Sequence, residues 1–184
     1  MRIITGTLKG RRLNPTDNLP VRPTTDMARE GLFNILNNIL EYENVVVMDL
    51  FAGTGAISFE FVSRGVKSVT AIEINNKCVD FIKQSAQKFE VKNLHVVRAD
   101  VFDLLKRAYQ KFDVIFADPP YMLEDLPKLP DLVFEKQLLV NEGIFILEHS
   151  KEHSFEDHPY FWQHRKYGKV NFTFFKNTGV VPQE

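Results

Sequence analysis

The residues with the most specific chemistry are Asp118, Pro119, Pro120 and Tyr121, which directly follow an apolar run at 112–117. The two prolines fix the backbone and remove two amide donors. What remains is a carboxylate, the Pro119 carbonyl and an aromatic ring. This combination accepts hydrogen bonds from an exocyclic amino group and stacks on a planar base. A rigid strand-to-loop turn is the alternative, but the position after a buried strand favours a catalytic role.

Three further acids, Asp49, Glu73 and Asp100, lie at the ends of three consecutive predicted strands. Because parallel strands end at the same edge of a sheet, we expect all three carboxylates along one rim. No lysine or arginine lies between residues 45 and 63, whereas a phosphate site usually carries one. This pattern favours a positively charged nucleoside, with its ribose on Glu73 and its adenine amino group on Asp100. Each acid alone could equally be a solvated strand end.

Gly53 and Gly55 form a turn where the backbone can come close to a ligand. A dinucleotide fingerprint requires a third glycine, and Ser58 stands in its place. An NAD-dependent dehydrogenase therefore stays open as an alternative that explains the turn and Glu73 but not the Asp-Pro-Pro-Tyr motif. A non-catalytic RNA-binding module, a third class, would not need three acids around a glycine turn.

Strands alternate with helices, which predicts an α/β, Rossmann-like fold with a mostly parallel sheet of seven strands and helices on both faces. The first strand begins at residue 45, and the others cover 68–74, 94–98, 112–117, 144–148, 162–167 and 169–176. The predicted helices cover 26–40, 57–64, 76–89, 102–109 and 131–139, with Thr24, Thr25 or Asp26 capping the first. The last two strands surround Gly168 and are predicted to be antiparallel. Residues 1–7 are predicted to form a strand of a short N-terminal β-hairpin.

The chain has 184 residues, which predicts a basic N-terminal extension (1–25) and one main domain (26–184). Net charge is −1, but residues 1–12 carry four basic side chains and no acid, and Arg22 follows. This arm predicts a phosphate-contacting surface, although a solvated edge strand explains its charge as well. A single cysteine, the lack of an apolar run that could span a bilayer and the lack of a signal-peptide core predict a cytoplasmic location.

Two motifs, Asp-Leu-Phe-Ala-Gly-Thr-Gly-Ala at 49–56 and Asp-Pro-Pro-Tyr at 118–121, resemble those of class I S-adenosylmethionine-dependent methyltransferases that act on amino groups. The Arg-Ile-Ile-x-Gly start and Arg-Pro-Thr-Thr-Asp at 22–26 narrow the resemblance. The chain resembles the RsmD family over residues 1–184. Members of this family are bacterial methyltransferases that modify guanine N2 in small-subunit (16S) ribosomal RNA.

The resemblance implies a Rossmann-like class I methyltransferase that uses S-adenosylmethionine as its cofactor. We also predict that the protein is a monomer and does not bind membranes. Its implied partner is ribosomal RNA, either in the small ribosomal subunit or in an assembly intermediate. No metal is expected, because the histidines at 95, 149, 153, 158 and 164 lack ligand spacing. An amino-methyltransferase acting on adenine or cytosine of DNA or another RNA, or on a protein glutamine, stays open.

The resemblance also implies a role for individual residues. The catalytic set is Asp118, Pro119, Pro120 and Tyr121. The cofactor-binding residues are Asp49, Phe51, Gly53, Gly55, Ala56, Glu73, Ile74, Asp100, Val101 and Asp118. The RNA-contacting residues are Arg2, Lys9, Arg11, Arg12, Arg22 and Thr24.

Overall fold

The computed structural model describes residues 1–15, 19 and 25–179 and contains one seven-stranded sheet in the order β3-β2-β1-β4-β5-β7-β6. The first five strands along the chain are parallel, β7 is antiparallel to β5, and β6 is antiparallel to β7. This agrees with the predicted fold class. The strands are β1 Val46–Leu50, β2 Ser68–Glu73, β3 Leu94–Arg98, β4 Phe112–Ala117, β5 Leu139–His149, β6 Phe161–Tyr167 and β7 Val170–Lys176.

Within the described residues, five α-helices cover the two faces of the sheet. They are α1 Asp26–Leu36, α2 Ala56–Ser63, α3 Asn76–Lys88, α4 Val101–Arg107 and α5 Leu129–Glu135. Buried side chains of α1, α2 and α3 form one hydrophobic cluster with one face of the sheet, and those of α4 and α5 form a second cluster on the other face. The central strands of the sheet are therefore buried on both sides, as their continuous apolar runs require.

The chain reverses direction across the sheet between β1 and β4. Strands β2 and β3 lie on one side of β1, and β4 and β5 lie on the other. At such a switch point the loops that follow β1 and β4 diverge and leave a crevice at the carboxyl ends of the strands, where ligands of open α/β sheets bind. The glycine turn follows β1, and Asp118 follows β4.

The N-terminal residues pack on α2. The backbone amides of Ile4 and Thr5 donate to the buried Glu60 carboxylate at 2.8 and 3.1 Å. Gly6 has a φ of 85°, and a Cβ added to it would lie 1.8 Å from the backbone oxygen of Ser63. Only glycine permits this approach of the segment to the helix. Ile3, Leu8 and Leu13 are buried in the same cluster as α2.

Several predicted boundaries were wrong. The predicted N-terminal strand is one isolated antiparallel bridge between Arg2 and Arg12. Helix α1 ends at Leu36 rather than residue 40, because the chain turns at residues 37–39. Helix α5 begins at Leu129, with a proline in its first turn where a missing N–H is tolerated, and it ends at Glu135.

Strand β5 starts five residues earlier than predicted, at Leu139, and is irregular against β4, where Leu139 pairs with Phe112 and Ile144 pairs with Val114. The extra residues include Glu142 in the left-handed region, at a φ of 62°. The division of the chain at residue 25 stays a prediction. No helix of the described ranges is long and apolar enough to cross a membrane.

Candidate active site

The turn between β1 and α2 is strongly bent. Phe51, Gly53 and Gly55 have φ values of 63°, 55° and 77°. A Cβ added to Gly55 would lie 3.0 Å from Ile82 and 3.2 Å from Phe59, so glycine also allows close packing against α2 and α3. A bulky residue such as Phe51 at positive φ is uncommon and costs energy, and such residues concentrate at functional sites. The turn brings the start of α2 to the carboxyl edge of the sheet, where Ala56 is buried.

Asp49 lies beneath this turn with 1% of its surface exposed, and its carboxylate accepts a hydrogen bond from the Ser58 hydroxyl. Burial, together with the negative charges of Asp118 and Glu73, raises the pKa of Asp49 to about 7 despite the hydrogen bond from Ser58. Three of the acids chosen from the sequence therefore share one electrostatic environment. A cation bound there would relieve their mutual repulsion.

Glu73 joins the glycine turn to the start of α3. Its carboxylate accepts hydrogen bonds from the Gly53 and Asn75 amides, both at 2.8 Å, and the side chain is 8% exposed. Each of its oxygens keeps a further lone pair for a ligand. Ile74 follows directly and is 60% exposed, which offers an apolar surface beside the acid.

The residues after β3 continue this edge. The Ala99 amide donates to the Glu73 carbonyl at 3.2 Å, so Asp100 follows one residue beyond that contact. Asp100 is exposed and caps α4 by accepting from the Asp103 amide at 3.0 Å. Val101 is buried, so its side chain anchors α4 in the core rather than facing solvent.

The Asp-Pro-Pro-Tyr segment starts on the other side of β1. The Asp118 amide lies 3.5 Å from the Leu50 carbonyl, which ties the end of β4 to the end of β1. Pro119 is buried and Pro120 is exposed. The Tyr121 hydroxyl donates to the Glu148 carboxylate at 3.1 Å, which holds the tyrosine ring beside this segment.

Two residues of this site were missed in the sequence. Glu148 is 3% exposed. Leu147 pairs with Ala117 on the neighbouring strand, so the next residues, Glu148 and Asp118, lie side by side at the ends of β5 and β4. It ends an apolar strand, the same signal that identified Glu73. Ser58 breaks the dinucleotide fingerprint, and the structure shows why a hydroxyl is useful there: it supplies a donor to the buried Asp49.

The predicted basic arm lies largely away from this edge. Arg2 and Arg12 pair with each other, and the Arg2 carbonyl accepts from Arg29 in the first turns of α1 at 2.7 Å. The Arg11 guanidinium lies 5.4 Å from the ring centroid of Phe89, directly after α3. Because α2 and α3 start at the carboxyl edge, their ends lie at the opposite edge, near Arg11. Lys9 is exposed in the same segment, and Arg22 and Thr24 fall outside the described residues.

The acidic side chains at this edge fit S-adenosylmethionine better than a phosphate-bearing cofactor. The ligand carries a positive sulfonium and an ammonium group, and carboxylates of Asp49, Glu73, Asp118 and Glu148 surround the ends of β1, β2, β4 and β5. The exposed Ile74 offers an apolar surface for a planar ring. Among the described residues, no three His, Cys, Asp or Glu side chains are arranged to hold a metal ion.

Comparisons with known proteins agree with this geometry. A family model described as "Conserved hypothetical protein 95", which represents the RsmD family, matches residues 1–176. A relative named "Ribosomal RNA small subunit methyltransferase D" from Buchnera aphidicola is 34% identical over 148 residues, covering 80% of this chain and 75% of that protein. The Escherichia coli protein of the same name is 29% identical over 167 residues, covering 90% and 83%.

The fold comparison points the same way. The solved structure of the Escherichia coli protein yhhF superposes with a TM-score of 0.83 at 26% identity, covering 96% of this chain and 97% of that one. The match extends beyond the glycine and Asp-Pro-Pro-Tyr motifs to nearly the whole chain. The chain therefore belongs to the RsmD family of S-adenosylmethionine-dependent methyltransferases.

Proposed function

We propose that this protein transfers a methyl group from S-adenosylmethionine to the exocyclic N2 amine of a guanine in small-subunit (16S) ribosomal RNA. The main support is the position of Asp118 at the end of β4. There its negative charge, like that of Glu73, raises the pKa of Asp49. Asp118, which we propose accepts a hydrogen bond from the substrate amine, is thus close to acids that we propose hold the cofactor. The names of the relatives support ribosomal RNA as the substrate.

The proposed cofactor site runs along the ends of β1, β2 and β3. The positive φ of Gly53 and Gly55 lets the backbone approach the amino-acid end of the ligand, and Glu73 would accept from its ribose hydroxyls. Asp100 and the exposed Ile74 would contact the adenine. When bound, the cofactor supplies an electrophilic methyl group on a sulfonium. The full proposed set is Asp49, Phe51, Gly53, Gly55, Ala56, Glu73, Ile74, Asp100, Val101 and Asp118.

The proposed catalytic residues prepare a poor nucleophile. The lone pair of guanine N2 is delocalised into the ring, and acceptors for both N–H groups favour a pyramidal nitrogen. The Asp118 carboxylate and the Pro119 carbonyl would supply those acceptors, with Pro120 fixing the turn. Tyr121 would stack on the base, its hydroxyl held by Glu148. Catalysis would then depend on positioning and charge complementarity.

The target base must leave its stack to reach this edge, which is easiest in single-stranded or loop RNA. We propose that the protein acts in the cytoplasm as a monomer on the small subunit or an assembly intermediate. Phosphates of the RNA would contact the basic arm. The arm residues are Arg2, Lys9, Arg11, Arg12, Arg22 and Thr24.

The test is transfer of labelled methyl groups to small subunits that lack the modification, followed by nucleoside analysis. We expect the label in N2-methylguanosine, and we expect naked RNA and assembled subunits to differ as substrates. Label in N6-methyladenosine or N4-methylcytosine instead would support the alternative amino-methyltransferase on another base. No transfer to any RNA would refute the proposal.

A further inference from the structure

A polar cavity of about 210 Å³ lies over the part of the sheet formed by β5, β7 and β6. Its strand residues are on the sheet face covered by α4 and α5, and residues 151–156 cover it from the other side. Liquid water occupies about 30 Å³ per molecule, so the cavity has room for a hydrated anionic group. Its lining residues are His149, Lys151, His153, Ser154, Phe155, Glu156, His164, Lys166, Asn171 and Thr173.

The lining carries a small excess of positive charge, and its two lysines are exposed. Lys151 and Lys166 oppose one acid, Glu156, so the lining carries a net charge of +1 with all histidines neutral. Both lysines are exposed, while His153 and His164 are half-buried. An anion would find two lysine cations at the mouth, whereas His164, Asn171 and Thr173 below them already donate to acceptors of the protein. Lysine contacts are typical of sites that bind phosphate without reading a base.

The floor of the cavity is rigid. The Ser150 carbonyl can only accept, so Nδ1 of His149 carries the proton of that 2.8 Å bond. The Thr173 hydroxyl then donates to Nε2, also at 2.8 Å. Burial lowers the pKa of His149, and nearby His164 and His153 lower it further, which agrees with a neutral ring. With both nitrogens occupied, this ring is a support for the cavity rather than a ligand.

The cavity lies on the same edge of the sheet as the candidate active site. His149 directly follows Glu148, whose carboxylate holds the Tyr121 hydroxyl. Asp118 and Glu148 follow the paired residues Ala117 and Leu147 on neighbouring strands, which lie about 4.8 Å apart. Side chains alternate along a strand, so His149 points to the opposite face of β5 from Glu148. A nucleotide chain with one base at Asp118 can reach the cavity by crossing the carboxyl edge, and its phosphate then lies one to three strands beyond β4.

We propose that this cavity binds a backbone phosphate of the substrate RNA close to the target nucleotide, through Lys151 and Lys166. The inference rests on the proposed function, because it places the phosphate beside a base held at Asp118. It assigns the phosphate contact near the target base to Lys151 and Lys166, at the carboxyl ends of the parallel strands. Lys9 and Arg11 of the basic arm lie near the amino ends of those strands.

The test compares two double variants of the full chain. Lys151→Gln with Lys166→Gln removes the proposed contacts. Lys67→Gln with Lys111→Gln removes the same charge from exposed positions directly before β2 and β4, at the opposite edge. Binding of single-stranded polyuridylate is measured over a range of salt concentrations, and methyl transfer to small subunits gives kcat and KM.

For the first pair we expect the slope of log affinity against log salt to fall by about 1.4, since each lost contact with single strands is worth about 0.7. Its KM for small subunits should rise, while kcat and the affinity for S-adenosylmethionine stay at wild-type values. The control pair should match the wild type. The proposal is overturned if the first pair matches the control pair in either the salt slope or the KM.

The failure of the proposed function gives a different result. One result is that the first pair loses salt slope as expected but the wild-type protein transfers no methyl group to small subunits. That result refutes the proposed function and leaves an anion-binding site. A wild-type protein that methylates small subunits with a KM and salt slope independent of Lys151 and Lys166 refutes only the phosphate site.

Discussion

We expect the buried carboxylate of Asp49 to make the affinity for S-adenosylmethionine depend on pH. Its pKa is raised to about 7 because burial disfavours the charged form and because Asp118 and Glu73 are negative. If the positive charge of S-adenosylmethionine is stabilised by ionised Asp49, only the ionised fraction of the protein binds tightly. The affinity should therefore rise with pH and level off above neutrality.

The expected size follows from that pKa. With a pKa of about 7, Asp49 is about 9% ionised at pH 6 and about 91% ionised at pH 8. Apparent affinity scales with the competent fraction, so the dissociation constant should fall about tenfold between the two pH values, or about 1.4 kcal/mol. The Asp49→Asn variant keeps an oxygen that can accept from Ser58 but cannot ionise, so its affinity should be weaker and nearly flat over this range.

The assay is isothermal titration calorimetry of S-adenosylmethionine at pH 6, 7 and 8 in buffers of different ionisation enthalpy, which also counts the protons released. S-adenosylhomocysteine, which lacks the sulfonium charge, is the matched ligand and should show a smaller pH effect. A wild-type affinity that is constant from pH 6 to 8 with no proton release would refute the argument. So would an equal pH dependence in Asp49→Asn.

Further predictions concern catalysis, folding and RNA binding. Asp118→Ala should abolish methyl transfer while largely sparing S-adenosylmethionine binding, and normal turnover would remove this residue from the mechanism. Between pH 3.8 and about 7 Asp49 is ionised in the unfolded chain but still protonated in the folded protein, so the folded protein loses stability as the pH rises. Asp49→Asn removes this loss and should raise the free energy of unfolding in urea by about 2 kcal/mol at pH 5 and about 4 kcal/mol at pH 8. An equal gain at both pH values would contradict this sign. Gly6→Ala should cost about 2–4 kcal/mol of unfolding free energy through backbone strain and the clash with α2, whereas Gly10→Ala, with a φ of 83° and nothing within 4 Å, should cost only about 1–2 kcal/mol; equal costs would rule out the clash. Removing both charges at Arg11 and Arg12 should flatten the salt dependence of RNA binding, and an unchanged slope would identify them as a solvated surface.

The fold was largely predictable because its elements are strongly patterned. Apolar β-branched runs alternate with amphipathic segments, so the order of strands and helices followed from the sequence. Thr25, one of the predicted caps, accepts from the Ala28 amide at 3.2 Å at the start of α1. The start of β5 was missed because residues 140–143 are partly polar and leave the regular pairing. Irregularities of this kind depend on tertiary contacts and leave no periodic signal.

The candidate site was only partly predictable. Asp49, Glu73 and Asp118 were identified because each is an acid at the end of an apolar strand, and the structure places them in one environment. Glu148 carries the same signal but was missed, since its significance comes from the bond to Tyr121 in the loop after the neighbouring strand β4. The location of Arg11 near the far edge was not predictable either, because it depends on how the N-terminal segment crosses α2.

Calorimetric titration of the wild-type protein with S-adenosylmethionine and, separately, with NAD tests the identity of the cofactor most directly. Acids at the ends of β1, β2 and β4 should favour a positively charged nucleoside, so we expect saturable one-to-one binding of S-adenosylmethionine and no detectable binding of NAD at the same concentrations. Binding of NAD with no heat from S-adenosylmethionine would contradict the account.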